Sequence, residues 1–166
     1  MVGIILGLGF QWVPAFQEPW QYIAFVFAYF DIVDYWIDYA PSLKKFPPKR
    51  EADIFLDLGI MFLLFLYIYA TQLAIIYFLA SFIIFRLLDF VWLINALHEY
   101  RPTGKDRIFV TTWLEFNLFE TFMTAIFIGA GFVLGLTPLV QIIIYIICRI
   151  IVRIAASLRY RQFYFA

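Results

Sequence analysis

The sequence predicts an all-α fold, a polytopic bundle of transmembrane helices, on three observations. Hydrophobic residues make up 65% of the 166 residues and charged residues 14%, whereas an average soluble domain is about 25% charged. The apolar residues form segments of about 20, the length that crosses a bilayer as a helix. The basic residues are concentrated in short loops at one end of these segments. A water-soluble fold is excluded because the chain has too little polar surface to cover one.

Five segments are long enough to span a bilayer, and one at the N-terminus is short. The predicted spans are residues 20–39, 52–70, 73–98, 109–134 and 139–157, within a single membrane domain that covers residues 1–166. Residues 1–18 hold a short apolar helix of about 22 Å, which is either a thin span or an interfacial helix. The sequence therefore predicts five or six spans.

The loops between the spans differ sharply in charge. Loops 41–51 and 99–108 carry seven basic residues together, and the C-terminal segment carries four more, from Arg149 to Arg161. The opposite loops carry none; they are residues 17–19, 71–72 and 135–138. Because Lys and Arg are enriched in cytoplasmic loops, we expect the basic loops and the C-terminus on the cytoplasmic side. The membrane is expected to be a cell inner or plasma membrane, or an organellar inner membrane with the equivalent orientation.

Ionisable side chains also lie inside the predicted spans, where each costs about 2.5–3.5 kcal/mol. Three aspartates share one face of the second segment, and two more share a face of the next; they are Asp31, Asp34, Asp38, Asp53 and Asp57. The rest of the predicted intramembrane charge network is Arg86, Asp89, Glu115, Glu120, Arg149 and Arg153. Eight carboxylates against three arginines leave a surplus of five negative charges. The sequence predicts an acidic cavity open to the cytoplasm, neutralised by protons, a metal, a cationic substrate or a basic partner.

The spacing of four aspartates resembles the signature of the CDP-alcohol phosphotransferases, D-x2-D-G-x2-A-R-x(8 or 9)-G-x3-D-x3-D. With the nine-residue spacer, the acidic positions are occupied by Asp31, Asp34, Asp53 and Asp57. The family also resembles this chain in its six spans and in its basic loop between the two aspartate pairs. The glycine, alanine, arginine and glycine of the signature are replaced here by Tyr35, Asp38, Tyr39 and Lys49.

This resemblance implies a divalent-metal-dependent lipid phosphotransferase-like protein that acts on a diphosphate-linked substrate. It implies that the ligands of Mg²⁺ or Mn²⁺ are Asp31, Asp34, Asp53 and Asp57, hard oxygen donors of the kind that these ions prefer. Asp57 would also be the catalytic base for the acceptor alcohol. The three aspartates of the second segment, Asp31, Asp34 and Asp38, also resemble a motif of the UbiA-type prenyltransferases. That family has more spans than this chain.

Two other classes of function remain open. One is a non-catalytic membrane subunit of a larger respiratory or organellar complex, for which 21 Phe and 11 Tyr offer lateral contact area. The other is a small cation channel or carrier that uses the acidic cavity. Gly131 and Gly135 form a Gly-x-x-x-Gly ridge, which permits close packing within the chain or in a homodimer. The bilayer is the expected environment, and 12 basic residues balanced by 12 acidic ones indicate no nucleic-acid partner.

Overall fold

The computed structural model describes residues 2–164, with side chains through residue 159. It has six α-helices: α1 (Val2–Gly9), α2 (Pro19–Lys45), α3 (Glu51–Tyr69), α4 (Ile75–Tyr100), α5 (Gly104–Leu134) and α6 (Pro138–Tyr164). Short 3-10 helices, Phe10–Ala15 and Ala70–Gln72, follow α1 and α3. The all-α prediction is confirmed for these residues. The side chain of Arg161, counted in the basic C-terminal segment, lies outside the described part of the chain.

Four helical segments within residues 2–164 are long and apolar enough to cross a membrane: Glu51–Gln72, Ile75–Tyr100, Gly104–Leu134 and Pro138–Arg159. This fits the predicted integral membrane protein. Helix α2 has 27 residues but is more polar, since it carries three aspartates. The N-terminal segment Val2–Ala15 gives about 24 Å of α- and 3-10 helix, less than a bilayer core of about 30 Å. The count of five or six spans stays a prediction.

Two helices extend further toward the basic loops than predicted. Helix α2 runs through Pro41 to Lys45, so the predicted loop 41–51 is reduced to residues 46–50. Pro41 lacks an N–H group and removes one helical hydrogen bond, but Ser42 Oγ donates to the Asp38 carbonyl at 2.8 Å. The helix ends at Lys45, two residues before Pro47, because a proline disfavours helical geometry in the residue before it, here Phe46. Helix α5 begins at Gly104, which shortens the predicted loop 99–108 to residues 101–103.

The two basic loops lie side by side at one end of the bundle, which we call the basic-loop end. Lys45 Nζ is 2.5 Å from Asp106 Oδ1, and Arg50 Nη2 is 2.6 Å from Glu99 Oε1. Lys49 Nζ lies 3.8 Å from the centre of the Tyr100 ring. These contacts join the end of α2 and the start of α3 to the end of α4 and the start of α5.

Helix α4 packs between α3 and α5, and α6 packs against α5 and α2. The core between them is aromatic, and its largest fully buried rings are Tyr39, Tyr67, Tyr145, Phe78, Phe82 and Phe85. Large apolar side chains such as Phe62, Phe122 and Phe132 are more than 60% exposed on the outer faces. Such outward apolar faces suit a lipid environment. The polar centre described below therefore sits inside an aromatic bundle.

The Gly-x-x-x-Gly ridge has two roles within the chain. A Cβ atom at Gly131 would lie 2.7 Å from Gln141 Cδ, so glycine lets α6 approach α5 there. Gln141 Nε2 uses this approach to donate to the Phe127 carbonyl at 2.9 Å. Gly135 ends α5 with a φ of +60°, a backbone conformation that favours glycine. The homodimer that the ridge also permits stays a prediction.

Candidate functional site

Four charged side chains from four helices form a buried centre. Glu120 on α5 bridges two guanidinium groups: its Oε2 is 2.6 Å from Arg86 Nη2 on α4, and its Oε1 pairs with Arg149 Nη1 on α6. Arg149 Nη2 also lies 2.5 Å from Asp31 Oδ1 on α2. None of these side chains is more than 9% exposed. The centre therefore ties α2, α4, α5 and α6 together at one point.

Asp89 extends this centre along α4. Its Oδ2 lies 3.7 Å from Arg86 Nη1, the i, i+3 pair that the sequence predicts. Tyr35 Oη donates to Asp89 Oδ1 at 2.9 Å, and Asn117 Nδ2 donates to Oδ2 at 2.6 Å. The Asp89 side chain is completely buried, so these two hydrogen bonds and the arginine offset the loss of its hydration.

The network reaches the surface at Arg153. Its Nε is 2.6 Å from Asp34 Oδ2, and its Nη2 is 3.2 Å from Asp38 Oδ2. The Arg153 and Asp34 side chains are 31% and 40% exposed, in contrast to the buried centre. A cavity of about 30 Å³ lies between this pair and Glu120. That volume accommodates one or two water molecules or a single small ion.

This network holds more acid than base. Five carboxylates, those of Asp31, Asp34, Asp38, Asp89 and Glu120, face the guanidinium groups of Arg86, Arg149 and Arg153. Among the side chains that the structure describes, the formal excess is two negative charges, five against three. We define these eight residues as the ion-pair network. The excess is smaller than the five that the sequence predicts, since the other carboxylates have partners elsewhere.

Glu115 and Asp53 each pair with an arginine that lies outside the predicted spans. Glu115, predicted to belong to the intramembrane network, is 56% exposed and lies 2.7 Å from Arg159 Nη1. Arg50 Nη2 lies 3.3 Å from Asp53 Oδ1. Sequence reasoning missed both pairs, because each arginine was assigned to a basic loop or tail and excluded from the charge count.

Asp53 and Asp57 occupy a separate site between α3 and α4. Asp53 accepts the N–H groups of Lys49 and Arg50 at 3.1 and 2.9 Å, and so caps α3. Asn95 Nδ2 also donates to Asp53, at 2.8 Å. Asp57 Oδ1 accepts from Tyr39 Oη at 2.7 Å and from Trp92 Nε1 at 2.9 Å. Sequence reasoning missed the two donors on α4, Trp92 and Asn95. Their i, i+3 spacing, which puts both on one helix face, was the signal that could have identified them.

The structure thus divides the four aspartates of the phosphotransferase-like motif into two groups. Asp31 and Asp34 face arginines of α6, whereas Asp53 and Asp57 face donors of α2, α4 and the loop before α3. Across the described residues, no three Asp, Glu, His or Cys side chains are grouped as a metal site. The assignment of the four aspartates to Mg²⁺ or Mn²⁺, and of Asp57 as a base, stays a prediction.

Two departures from the motif have a direct structural role. Tyr35 replaces the signature glycine and donates to Asp89, and Tyr39 replaces the signature arginine and donates to Asp57. The two rings stack with their centres 5.1 Å apart. Aromatic side chains therefore fill the place where the family has a small residue and a cation, and each holds a different carboxylate.

Several buried polar atoms near the centre have no hydrogen-bond partner among the described residues, including Tyr67 Oη, Arg86 Nε, Asn117 Oδ1 and Arg149 Nε. Both guanidinium groups lie over the Phe82 ring, at 5.0 and 4.9 Å from its centre. The negative face of the ring partly offsets the burial of the two cations. The core is therefore adapted to hold two arginines close together.

Comparison with known proteins gives no further guide to the site. No protein-family model, curated protein or solved structure matches this chain. The resemblance to the CDP-alcohol phosphotransferases therefore rests on the aspartate spacing and on the plan of spans and loops, and it stays a prediction.

Proposed function

We propose that this chain is a small membrane carrier or channel-type protein that binds a cation at the ion-pair network. The observation that carries the proposal is a cavity that reaches the surface beside Asp34 and Arg153. Among the described residues, four carboxylates and three guanidinium groups line it, a formal excess of one negative charge. Ionisable residues inside a membrane are costly and commonly mark ion or proton pathways. Apolar residues could hold the same helices together at a lower cost in free energy, because the desolvation of buried ion pairs offsets most of their electrostatic attraction.

The size of the cavity favours an ion over a larger solute. About 30 Å³ accommodates a single ion but not a diphosphate, which the phosphotransferase-like function would require. Between the network and the opposite end, the polar groups of the core are neutral, among them Thr124, Gln141 and Tyr145. A carrier that changes shape suits this arrangement better than an open pore. By the positive-inside rule, we place the entrance on the cytoplasmic side.

The two other functions considered for this chain are less well supported. A phosphotransferase needs the two aspartate groups to converge on one metal, whereas each group here is held by separate donors. A non-catalytic subunit whose charges meet a neighbouring chain is also disfavoured, because these charges pair within the chain. The phosphotransferase-like function makes a distinct prediction in the experiment below.

The proposal is tested by cation-dependent stability of the detergent-purified protein. The melting temperature is measured against Na⁺, K⁺, Mg²⁺ and Mn²⁺, with a bulky organic cation keeping the ionic strength constant. We expect one or more of these ions to raise the melting temperature in a saturable way. Asp34→Asn, which removes a charge at the exposed entrance, should weaken the apparent affinity about tenfold, the effect of roughly 1.4 kcal/mol.

The matched control is Glu115→Gln, which also removes one carboxylate charge but lies in the exposed pair with Arg159. It should leave the cation response unchanged. A response in no variant, or an equal loss in both, contradicts the proposal. A response to Mg²⁺ or Mn²⁺ alone that Asp57→Asn abolishes would support the phosphotransferase-like protein instead. Flux of the responding ion into proteoliposomes, reduced by Asp34→Asn, would establish transport.

A further inference from the structure

The polar side chains of α6 form a single line along the helix. Between residues 138 and 156, only four side chains besides Cys148 are polar. They are spaced four residues apart, which puts them on one side of the helix: Gln141, Tyr145, Arg149 and Arg153. The line is about 18 Å long, since each residue adds about 1.5 Å to a helix. It therefore covers more than half of a bilayer core of about 30 Å.

Helix α5 presents polar groups to this line. Glu120 pairs with Arg149, and one turn further along α5 Thr124 Oγ1 lies 3.3 Å from Tyr145 Oη. Beyond them, Gln141 donates to a backbone carbonyl of α5 at 2.9 Å. None of these five side chains is more than 5% exposed. The boundary between the two helices, which we call the α5–α6 seam, is therefore both buried and polar.

The seam ends at a cavity of about 250 Å³, which we call the opposite-end cavity. It lies between the end of α5 and the starts of α4 and α6, and its lining includes Ile75, Ile128 and Gly131. Among the described residues that line it, Gln141 is the one polar side chain. The line of polar groups on α6 thus runs from the cavity in the ion-pair network, lined by Arg149 and Arg153, to this second cavity.

The ring of Tyr145 lies between the two cavities. It is one helical turn from Arg149 and one turn from Gln141, and it is completely buried. Rings from three other helices pack edge-on against it, with centres 6.1, 6.1 and 5.7 Å away: Phe27 on α2, Phe82 on α4 and Phe127 on α5. This aromatic layer closes the seam.

We propose that the bound cation crosses the membrane along the α5–α6 seam, with Tyr145 as the gate and the opposite-end cavity as the exit. This inference rests on the proposed binding of a cation at the ion-pair network. Polar and ionisable groups inside a membrane are costly and commonly mark ion pathways. The hydroxyl groups of Tyr145 and Thr124 and the amide oxygen of Gln141 are neutral, hard oxygen ligands, which can replace part of the hydration shell of a metal cation.

The first test asks whether the opposite-end cavity holds water or lipid. In a chain with Cys148→Ser, single cysteines replace Ile128, which lines the cavity, or Ile126, which is 70% exposed on α5 and does not line it. The reagent is a charged, membrane-impermeant methanethiosulfonate added to proteoliposomes. Because a thiol reacts as its thiolate, which requires water, we expect Ile128→Cys to react at least about tenfold faster than Ile126→Cys. Equal rates, or no reaction at Ile128→Cys, would overturn the exit.

The second test measures flux through the gate. Proteoliposomes take up whichever of Na⁺, K⁺, Mg²⁺ and Mn²⁺ raises the melting temperature. Tyr145→Ala should increase this flux about tenfold, because losing the ring contacts lowers the barrier to opening. Tyr145→Phe keeps the ring and should show no such increase. In both variants the apparent affinity measured from the melting temperature should stay unchanged, because the ion-pair network is intact.

The matched control is Phe25→Ala. Phe25 is also a buried ring in contact with three others, but they belong to α2 and the N-terminal segment: Phe10, Phe16 and Tyr29. It should leave the flux unchanged. An equal increase in Phe25→Ala, or none in Tyr145→Ala with a normal cation response, would overturn the pathway alone. No cation response in the unaltered chain would overturn the proposed function and the pathway with it.

Discussion

Glu120 contacts two buried arginines through its two oxygens, while Asp31 supplies a second carboxylate to Arg149. Removing the Glu120 charge therefore leaves Arg86 with only Asp89, at 3.7 Å, and Arg149 with only Asp31, so both buried guanidinium groups lose a close partner. At the scale of the residue, this makes Glu120 the most sensitive acidic position in the network. The exposed Glu115–Arg159 pair offers the opposite case, because water surrounds both partners.

We predict that Glu120→Gln destabilises the protein by about 3–5 kcal/mol, the usual cost of breaking a buried ion pair. Glu115→Gln should change the free energy of unfolding by at most about 1 kcal/mol, as expected for exposed pairs. Unfolding in mixed micelles with increasing denaturing detergent measures both. Similar losses for the two variants would show that the Glu120 bridge does not stabilise the fold.

Sequence reasoning at this scale identified the charged residues but not their partners. Helical spacing shows that Asp31, Asp34 and Asp38 share a face. It does not show which helix that face meets, because the rotation of each helix is set by packing against its neighbours. Arg149 and Arg153 have the i, i+4 spacing that matches this face, yet 118 residues separate Arg149 from Asp31. Only the tertiary structure supplies that pairing.

At the scale of the helices, the packing of the Gln141 side chain of α6 against α5 depends on the absence of a side chain at Gly131. Gly131 leaves the space that the Gln141 side chain occupies, whereas Gly129, two residues earlier, has nothing within 4 Å of where a Cβ would lie. The two glycines thus share a helix and a residue type but differ in their surroundings. This difference makes them a matched pair for mutagenesis.

We expect Gly131→Ala to be less stable than Gly129→Ala by about 0.5–1.5 kcal/mol, the net contribution of one hydrogen bond, because the new methyl group meets the flexible amide end of Gln141. It displaces Gln141 and breaks the hydrogen bond to the Phe127 carbonyl. Gly129→Ala should be neutral or stabilising by up to about 1 kcal/mol, because alanine favours the helix. Thermal unfolding in detergent distinguishes them. If Gly131→Ala is as stable as Gly129→Ala, close packing at this position is not required.

The positions of the helices follow from the local sequence, whereas some of their ends depend on tertiary contacts. The apolar segments located α3 and α4 within two residues at each end, because length and hydropathy are local properties, but they missed the start of α5 by five residues and the end of α6 by seven. The extension of α2 through Pro41 was not predictable, since a proline usually ends a helix. Its continuation coincides with contacts made after folding, including the Lys45–Asp106 pair. Helix α5 likewise begins at Gly104, five residues before the predicted start at residue 109.

At the scale of the whole molecule, orientation in the membrane is the testable prediction. Cys148 is the only cysteine in the chain and can be replaced by serine, which allows single-cysteine variants. Lys44→Cys at the basic-loop end should react with a membrane-impermeant maleimide only after cells are permeabilised. Thr137→Cys at the opposite end, where the residue is exposed, should react in intact cells. The reverse pattern would contradict the cytoplasmic placement of the basic loops.

The ion-pair network also affects how the helices can enter the membrane while the chain is being synthesised. Asp31 enters the membrane with α2, but its partner Arg149 is synthesised 118 residues later. Arg86 is likewise inserted before Glu120, its partner on the next helix. Each unpaired charge costs about 2.5–3.5 kcal/mol during insertion. We therefore expect the early helices to stay beside the insertion machinery or beside water until α6 arrives and completes the network.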